Sequence, residues 1–244
     1  VDVTYSGMNA AIGVMDEVKA KLVMAREPGV DRSKVNLEIE QLRQQIYSII
    51  DSSSFAGQNW LHRYTDADDA PQQIVGSFVR DGAGGVSVET LSYDREMWLG
   101  TNHLIDEVYH FGVLTNVDFS RVLGTDKEWV FMNGRQHDIH PVMELTDATT
   151  DQDIDEMISV VDVMLMQMTD GAAQLGALQT RIALHDNFIA DLRQTIERGI
   201  GRLVDEDMNE ASSRLKAQQA QVQLANQALG IANAQAESVL QLFR

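Results

Sequence analysis

Every seventh residue from Ile154 onward is apolar, giving Ile154, Val161, Met168, Leu175, Ile182, Ile189, Ile196 and Leu203 in one unbroken row. A companion row runs beside it as Ile158, Leu165 and Ala172, then shifts by one residue to Leu178 and Leu192. Apolar heptads sustained over this length, with no proline, specify a helix that packs along other helices as in a coiled coil. Some fifty residues at helical rise span roughly 75 Å, so the pattern predicts a rod.

Past Leu203 the register breaks, because the next apolar row is Met208, Leu215, Val222, Leu229, Ala236 and Phe243, accompanied by Ala211, Ala225, Ala232 and Val239. The intervening Asp205, Glu206 and Asp207 suit a helix N-terminus, which places a joint at 204–207 and a separate helix after it. Its remaining faces are Gln, Asn, Ala and Ser, among them Gln218, Gln219, Gln221, Gln223, Asn226 and Gln227, with only five charged residues from 208 to 244. A helix facing water normally carries charge on its outer side. This one is expected to be surrounded by protein in an assembly.

At the other end, Tyr5, Met8, Ile12, Met15 and Leu22 form a helical stripe that Glu27, Pro28 and Gly29 stop. Asp31 or Ser33 can cap a second helix with the stripe Val35, Ile39, Leu42, Ile46 and Ile49, ended by the segment 51–57. Both are natural antiparallel partners for the 154–203 row. Between about 64 and 145 the period changes to two: 74–80 and 86–91 flank the Gly-rich segment 81–85, and Trp129 to Met132 precede Asn133-Gly134, a strong hairpin signal. The stretch 104–123 is ambiguous between helix and strand. The expected fold is mainly α, a long antiparallel helical rod with a small β-rich insertion. It divides into 1–63, the N-terminal part of the rod; 64–150, the insertion; 151–204, the C-terminal rod helix; and 205–244, a terminal helix.

Charge sharpens this division. Net charge is −18, and residues 64–156 hold 19 Asp and Glu against 5 Lys and Arg, which is −14 of that total. Such a surface repels nucleic acid and anionic lipid and suits a solvated outer layer. No cysteine is present, which removes disulfides, thiolate metal sites and Cys nucleophiles together. The sequence holds no apolar run of membrane-spanning length, secretory signal or lipidation motif, so no membrane partner is expected. Val1 lies inside a helical pattern with no capping residue ahead of it, so residues are expected to be missing upstream.

Catalytic chemistry finds little support. His137 and His140 flank Asp138, but after a predicted turn they would not share a helix face, and no third ligand is evident. Solvent-exposed loop histidines are the expected reading there, and His62, His103, His110 and His185 form no metal-ligand spacing. Asp68 with Asp69, and Asp153 with Asp155 and Glu156, lack a calcium-loop pattern, and acid near a helix start is ordinary capping. Gly82, Gly84 and Gly85 lack the Lys-Ser/Thr of a phosphate cradle. Met164, Met166 and Met168 read as adaptable packing. No catalytic residue, metal site or cofactor is expected.

The tail carries a resemblance. Ser213 to Ala217, then Gln227-Ala228-Leu229-Gly230-Ile231-Ala232-Asn233 and Val239 to Arg244, resemble the C-terminus of bacterial flagellins. Gly201 to Glu210 looks like the segment joining outer rod to inner core in flagellins of the alphaproteobacterial, rhizobial type, and Lys21 to Gly29 with Phe55 to Leu61 look like the matching N-terminal rod. About 150 residues at the two ends are covered, in the right order. The resemblance implies a subunit that self-assembles into an extracellular motility filament and is exported through the flagellum's own channel, with export apparatus, export chaperone and filament cap as partners. It makes 205–244 the C-terminal inner-core helix, its row from Met208 to Phe243 the filament interface, and the missing upstream part the N-terminal inner-core helix. A zinc protease carried by some flagellins is not expected, since its His-Glu-x-x-His helix does not occur here. Two alternatives stay open: a hook-filament junction protein, and a surface binding or adhesion module carried on a flagellin-like rod.

Flagellins of the enteric type present an Arg-x-x-Glu-Leu pattern to the host flagellin receptor, and alignment on Leu22 puts Val18 and Lys21 at the Arg and Glu places. Losing one cation and reversing one anion weakens a charge-complementary contact. Weak or no receptor activation is expected, and strong signalling by the purified subunit in a reporter-cell assay would contradict it.

Overall fold

The computed structural model describes residues 1–65, 72–80, 82, 85–93, 96–97, 100–133 and 141–242. The chain divides into two compact units, Val1–His185 and Asp186–Arg244.

In the first unit, helix α1 (Asp2–Ala25) buries Thr4, Met8, Ala11, Met15, Val18, Leu22 and Ala25. The alternation of four- and three-residue steps keeps all of them on one seam, the coiled-coil spacing. Pro28 cannot continue the helix and Gly29 takes a positive φ of 86°, so the chain turns there. Helix α2 (Arg32–Ser52) then begins on Asp31, whose carboxylate accepts the Lys34 N–H at 3.2 Å. Its seam is Val35, Ile39, Leu42, Ile46 and Ile50. Ile50 takes the buried place expected of Ile49, which is only half-buried.

The third partner is the first part of the final helix, α4 (Asp151–Leu242). Contacts between α1 and α4 run in opposite order along the two: Gln179 donates to Asp2 at 2.8 Å, Gly176 lies against the Tyr5 ring, Gly171 against Met8, Lys19 pairs with Asp162, and Arg26 binds Asp155 at 2.9 Å and Asp151 at 2.8 Å. α1 and α4 are therefore antiparallel. Arg32 at the start of α2 reaches Asp151 and the Thr149 carbonyl, bringing the two helix starts together. Of the expected companion row of α4, Ala172 and Leu178 are buried, but Ile158 and Leu165 are half-buried at its edge, and Met157, Met164 and Gly171 take the buried places. The glycine, which lets α1 approach, hid that row from a search for large apolar side chains.

The strands are short. β1 (Ser54–Phe55) and β2 (Gln58–Asn59) form a tight hairpin over Ala56 and Gly57, both at positive φ. β3 (His62–Arg63) pairs in parallel with β8 (Ile105–Asp106). β4 (Gln72–Arg80) and β5 (Val86–Tyr93) make the expected antiparallel hairpin, with a bulge between Val75 and Ser77, and β6 (Glu96–Met97) pairs with β7 (Gly100–Thr101). The ambiguous stretch resolves into β8, a loop and the short helix α3 (Asp118–Leu123), ended by Gly124 at φ 67°. Of the expected Asn133-Gly134 turn, residues 134–140 lie outside the described residues. Val130 meets Val142 through a parallel bridge.

Residues 102–133 and 141–147 are not a separate layer. Leu104, Leu114, Phe119, Phe131 and Met143 are buried in the same core as the three helices. Buried Arg43 holds them to α2: it donates to the Phe131 carbonyl at 2.9 Å and the Met143 carbonyl at 2.8 Å, and also binds Glu40. From α4, Glu156 accepts the Trp129 indole N–H at 3.0 Å.

Within the second unit no new helix begins at 204–207, because α4 continues through the segment where a joint was expected. On a continuous helix turning about 100° per residue, the five-residue step from Leu203 to Met208 carries the apolar row roughly 140° around the axis.

Two outcomes are expected. Arg43→Ala strands two buried carbonyls, so unfolding free energy in urea should fall by about 2–4 kcal/mol, with proteolysis appearing first at 129–145. Asp153 is held below the ordinary carboxylate range by Lys127 at 2.6 Å and by the Thr150 N–H at 2.8 Å. A carboxyl lowered on folding adds stability above its unfolded value and loses it as pH falls through its folded one. Asp153→Asn should therefore cost stability at about pH 7 and narrow the loss that sets in as pH falls below the ordinary aspartate value; an unchanged acid profile by circular dichroism would count against this.

Candidate assembly surface

The polar chemistry of the first unit is concentrated where β3 meets β8. His62 is buried, with Nε2 at 3.1 Å from Glu107, Nδ1 at 3.9 Å from Asp51, and its ring stacked on Tyr64 at 3.7 Å. Next to it Arg63 faces Asp106 at 3.5 Å and lies over the Tyr109 ring, while Asp106 also accepts the N–H groups of Val108, Tyr109 and Phe111. Acid and base are turned toward each other, so the cluster joins two strands and presents no reacting group to solvent. Two adjacent dipeptides of opposite charge, His62-Arg63 and Asp106-Glu107, were the available sequence signal, and the histidine reading overlooked it.

The other candidate groups are dispersed. His137, His140, Asp138, Asp68 and Asp69 lie outside the described residues. Gly82 and Gly85 belong to the β4–β5 connection. Asp153 and Glu156 anchor the start of α4 to 126–129. Burial and the Trp129, Asp126 and Gln152 donors act oppositely on Glu156, leaving it lowered from its usual value. Met164 and Met168 are buried, whereas Met166 faces outward. Among the described residues no group of three His, Asp or Glu could hold a metal.

What is exposed in quantity is apolar. Ile154, Val161, Met168 and Leu175 of the heptad row are fully buried, and half-buried Ile182 packs against the same core. Ile189, Ile196 and Leu203 are then exposed, the last at 68%, and so are Met208, Leu215, Val222 and Leu229. The side chains of Ala236 and Phe243 lie outside the described residues. A feature the heptad reading missed is a second row, Leu224 and Ile231, also exposed; two residues beyond Val222 and Leu229, it lies about 200° around the helix from them.

Side chains of this size gain ~1.5–3 kcal/mol each on leaving water, and soluble monomers seldom expose so many large apolar side chains along one helix. Part of the charge is already neutralised within the helix. Arg193 pairs with Glu197 at 3.1 Å and Arg214 with Glu210 at 2.6 Å along their own helix, so these ions arrive at an interface already partnered. The surface is suited to helix-on-helix packing with other protein.

Comparison with known proteins points the same way. Residues 158–243 match the family model of the bacterial flagellin C-terminal helical region. Over its whole length the chain is 44% identical to Flagellin C of Rhizobium meliloti (strain 1021), covering 77% of that protein, and 35% identical to Flagellin A of Rhizobium meliloti, covering 82%. It is 32% identical to a flagellin of Brucella melitensis, covering 74%.

Acidic substitutions should separate the covered and uncovered parts of the row. Leu175→Asp buries an unpaired charge and should unfold the first unit, a loss of about 4 kcal/mol or more. Ile196→Asp should change the unfolding free energy of the monomer by no more than about 0.5 kcal/mol. Equal destabilisation by the two in thermal melts would show that 189–203 is covered within one subunit.

Proposed function

This chain belongs to the bacterial flagellin family and is a structural subunit of the flagellar filament, and we propose that the exposed apolar rows of 189–231 are the surface through which it joins other subunits. The exposure of Met208, Leu215, Val222 and Leu229 in the single chain carries this reading. Apolar rows that are costly to leave in water are stabilised by being covered, and polymerisation covers them. The row from Ile154 to Ile182 packs within the subunit, and the rows beyond it pack between subunits.

The family is structural and its filament lies outside the cell; no helix among the described residues is long and apolar enough to cross a membrane. We further infer that the chain has no catalytic role. Export apparatus, export chaperone and filament cap are proposed partners because the subunit must reach the growing tip through the flagellum itself. Weak host-receptor engagement also belongs to the proposal. Val18 is buried in the α1 seam and Lys21 is paired with Glu38 at 2.5 Å, so neither presents the charge such a receptor would read.

The alternative of a junction protein shares the helical ends and differs in stoichiometry. Leu215→Asp and Val222→Asp should leave export and subunit folding intact while reducing filament length at least about tenfold. Electron microscopy of cells whose sole flagellin carries the change is the test. Normal filaments would remove this row from the interface, and a short stub made by the unaltered chain alone would favour the junction reading.

A further inference from the structure

Oxidant chemistry in this chain falls on thioethers, since there is no cysteine to react first. The sequence has 11 methionines, and seven of them are 2% exposed or less in the first unit. Met208 is the opposite case at 65% exposure, and it heads the row that continues through Leu215, Val222 and Leu229. We propose that Met208 is a redox-modification site of the free subunit, oxidised by peroxides to the sulfoxide, and that this change withholds the subunit from assembly. The second half of the statement rests on the assembly reading above; the first half does not.

The chemistry is a two-electron transfer. A sulfur lone pair attacks the terminal oxygen of a hydroperoxide, the O–O bond breaks as the S–O bond forms, and the departing oxygen takes up the proton and leaves as water or alcohol. Sulfur is oxidised and the peroxide reduced, with no further reagent. Four acidic residues, Asp205, Glu206, Asp207 and Glu210, surround Met208 in sequence, which favours an uncharged peroxide over anionic oxidants. The product is a strongly dipolar acceptor on a flexible side chain that was apolar. In an apolar row continued by Leu215, Val222 and Leu229, burying the sulfoxide costs its hydration, so covering it is less favourable than covering the thioether. The subunit is sensitive while its row faces water, and covering the row protects it. Met166, 58% exposed on the first unit and outside the apolar rows, provides an internal reference of similar accessibility.

The test treats soluble subunit and finished filament with hydrogen peroxide, maps sulfoxides by peptide mass spectrometry, and follows elongation from untreated seeds. In the free subunit Met208 and Met166 should be converted ahead of the buried methionines, and Met208 should be protected in the filament. Treated wild-type subunit should elongate at least about tenfold more slowly than untreated. Met208→Leu, compared with its own untreated rate, should lose this sensitivity; Met166→Leu should keep it. Methionine sulfoxide reductase with thioredoxin should restore elongation. The site is overturned if Met208 stays a thioether at doses that convert Met166, and its effect on assembly is overturned if Met208→Leu is as sensitive as the wild type. Should Met208 be oxidised in the subunit and remain equally reactive in the filament, the modification site stands and the assembly reading of this row is what fails.

Discussion

A helix cannot cover its own apolar stripe, and that constraint organises this protein. In the first unit the stripe of α4 is answered by α1, laid antiparallel along it, and by α2 beside both. The match is close enough that glycines stand where large side chains cannot: a Cβ on Gly7 would come within 2.9 Å of Leu61 and closer still to Ser53, and Gly171 and Gly176 admit Met8 and Tyr5. Ion pairs set the register without supplying most of the stability. Lys19–Asp162 and Arg26–Asp155 are partly exposed, and pairs of that kind contribute ~1 kcal/mol or less each. Burial of Ile154, Val161, Met164 and Leu175 against Met8, Met15 and Leu22 is the larger effect.

Other features follow from keeping that seam closed. Arg43 and the Trp129–Glu156 bond hold residues 129–131 and 143 over the flank of the helices, which is why this part of the acidic middle is packed into the core. The His62 and Arg63 cluster ties β3 to β8 and fixes where the connection from α2 turns back.

Periodicity made the helices legible. Ile154 through Leu175, the α1 stripe and the Asp31 cap all appear in the sequence because burial repeats at the helical period and capping chemistry is local. The true companion row of α4 was less visible, since Gly171 has no side chain to register as apolar. Placing a break at 204–207 gave Asp205 to Asp207 a local meaning, but i→i−4 hydrogen bonding persists through acidic residues, and the row changes face while the helix continues. Least legible was the packing of 102–133 and 141–147: Arg43 reaching carbonyls 88 and 100 residues away leaves no local pattern. The exposed apolar rows lay between these extremes, since the heptads picked out Met208 to Leu229 but a strict heptad search could not include Leu224 and Ile231.

The passage of α4 from a covered seam to uncovered rows has a bearing on how amide protons exchange. Opening a backbone hydrogen bond near Val161 means parting three helices and their shared core, whereas opening one near Val222 releases little besides the helix itself. A single element of regular secondary structure therefore holds amides at both ends of the protection scale, and a melting signal from total helicity would average over them.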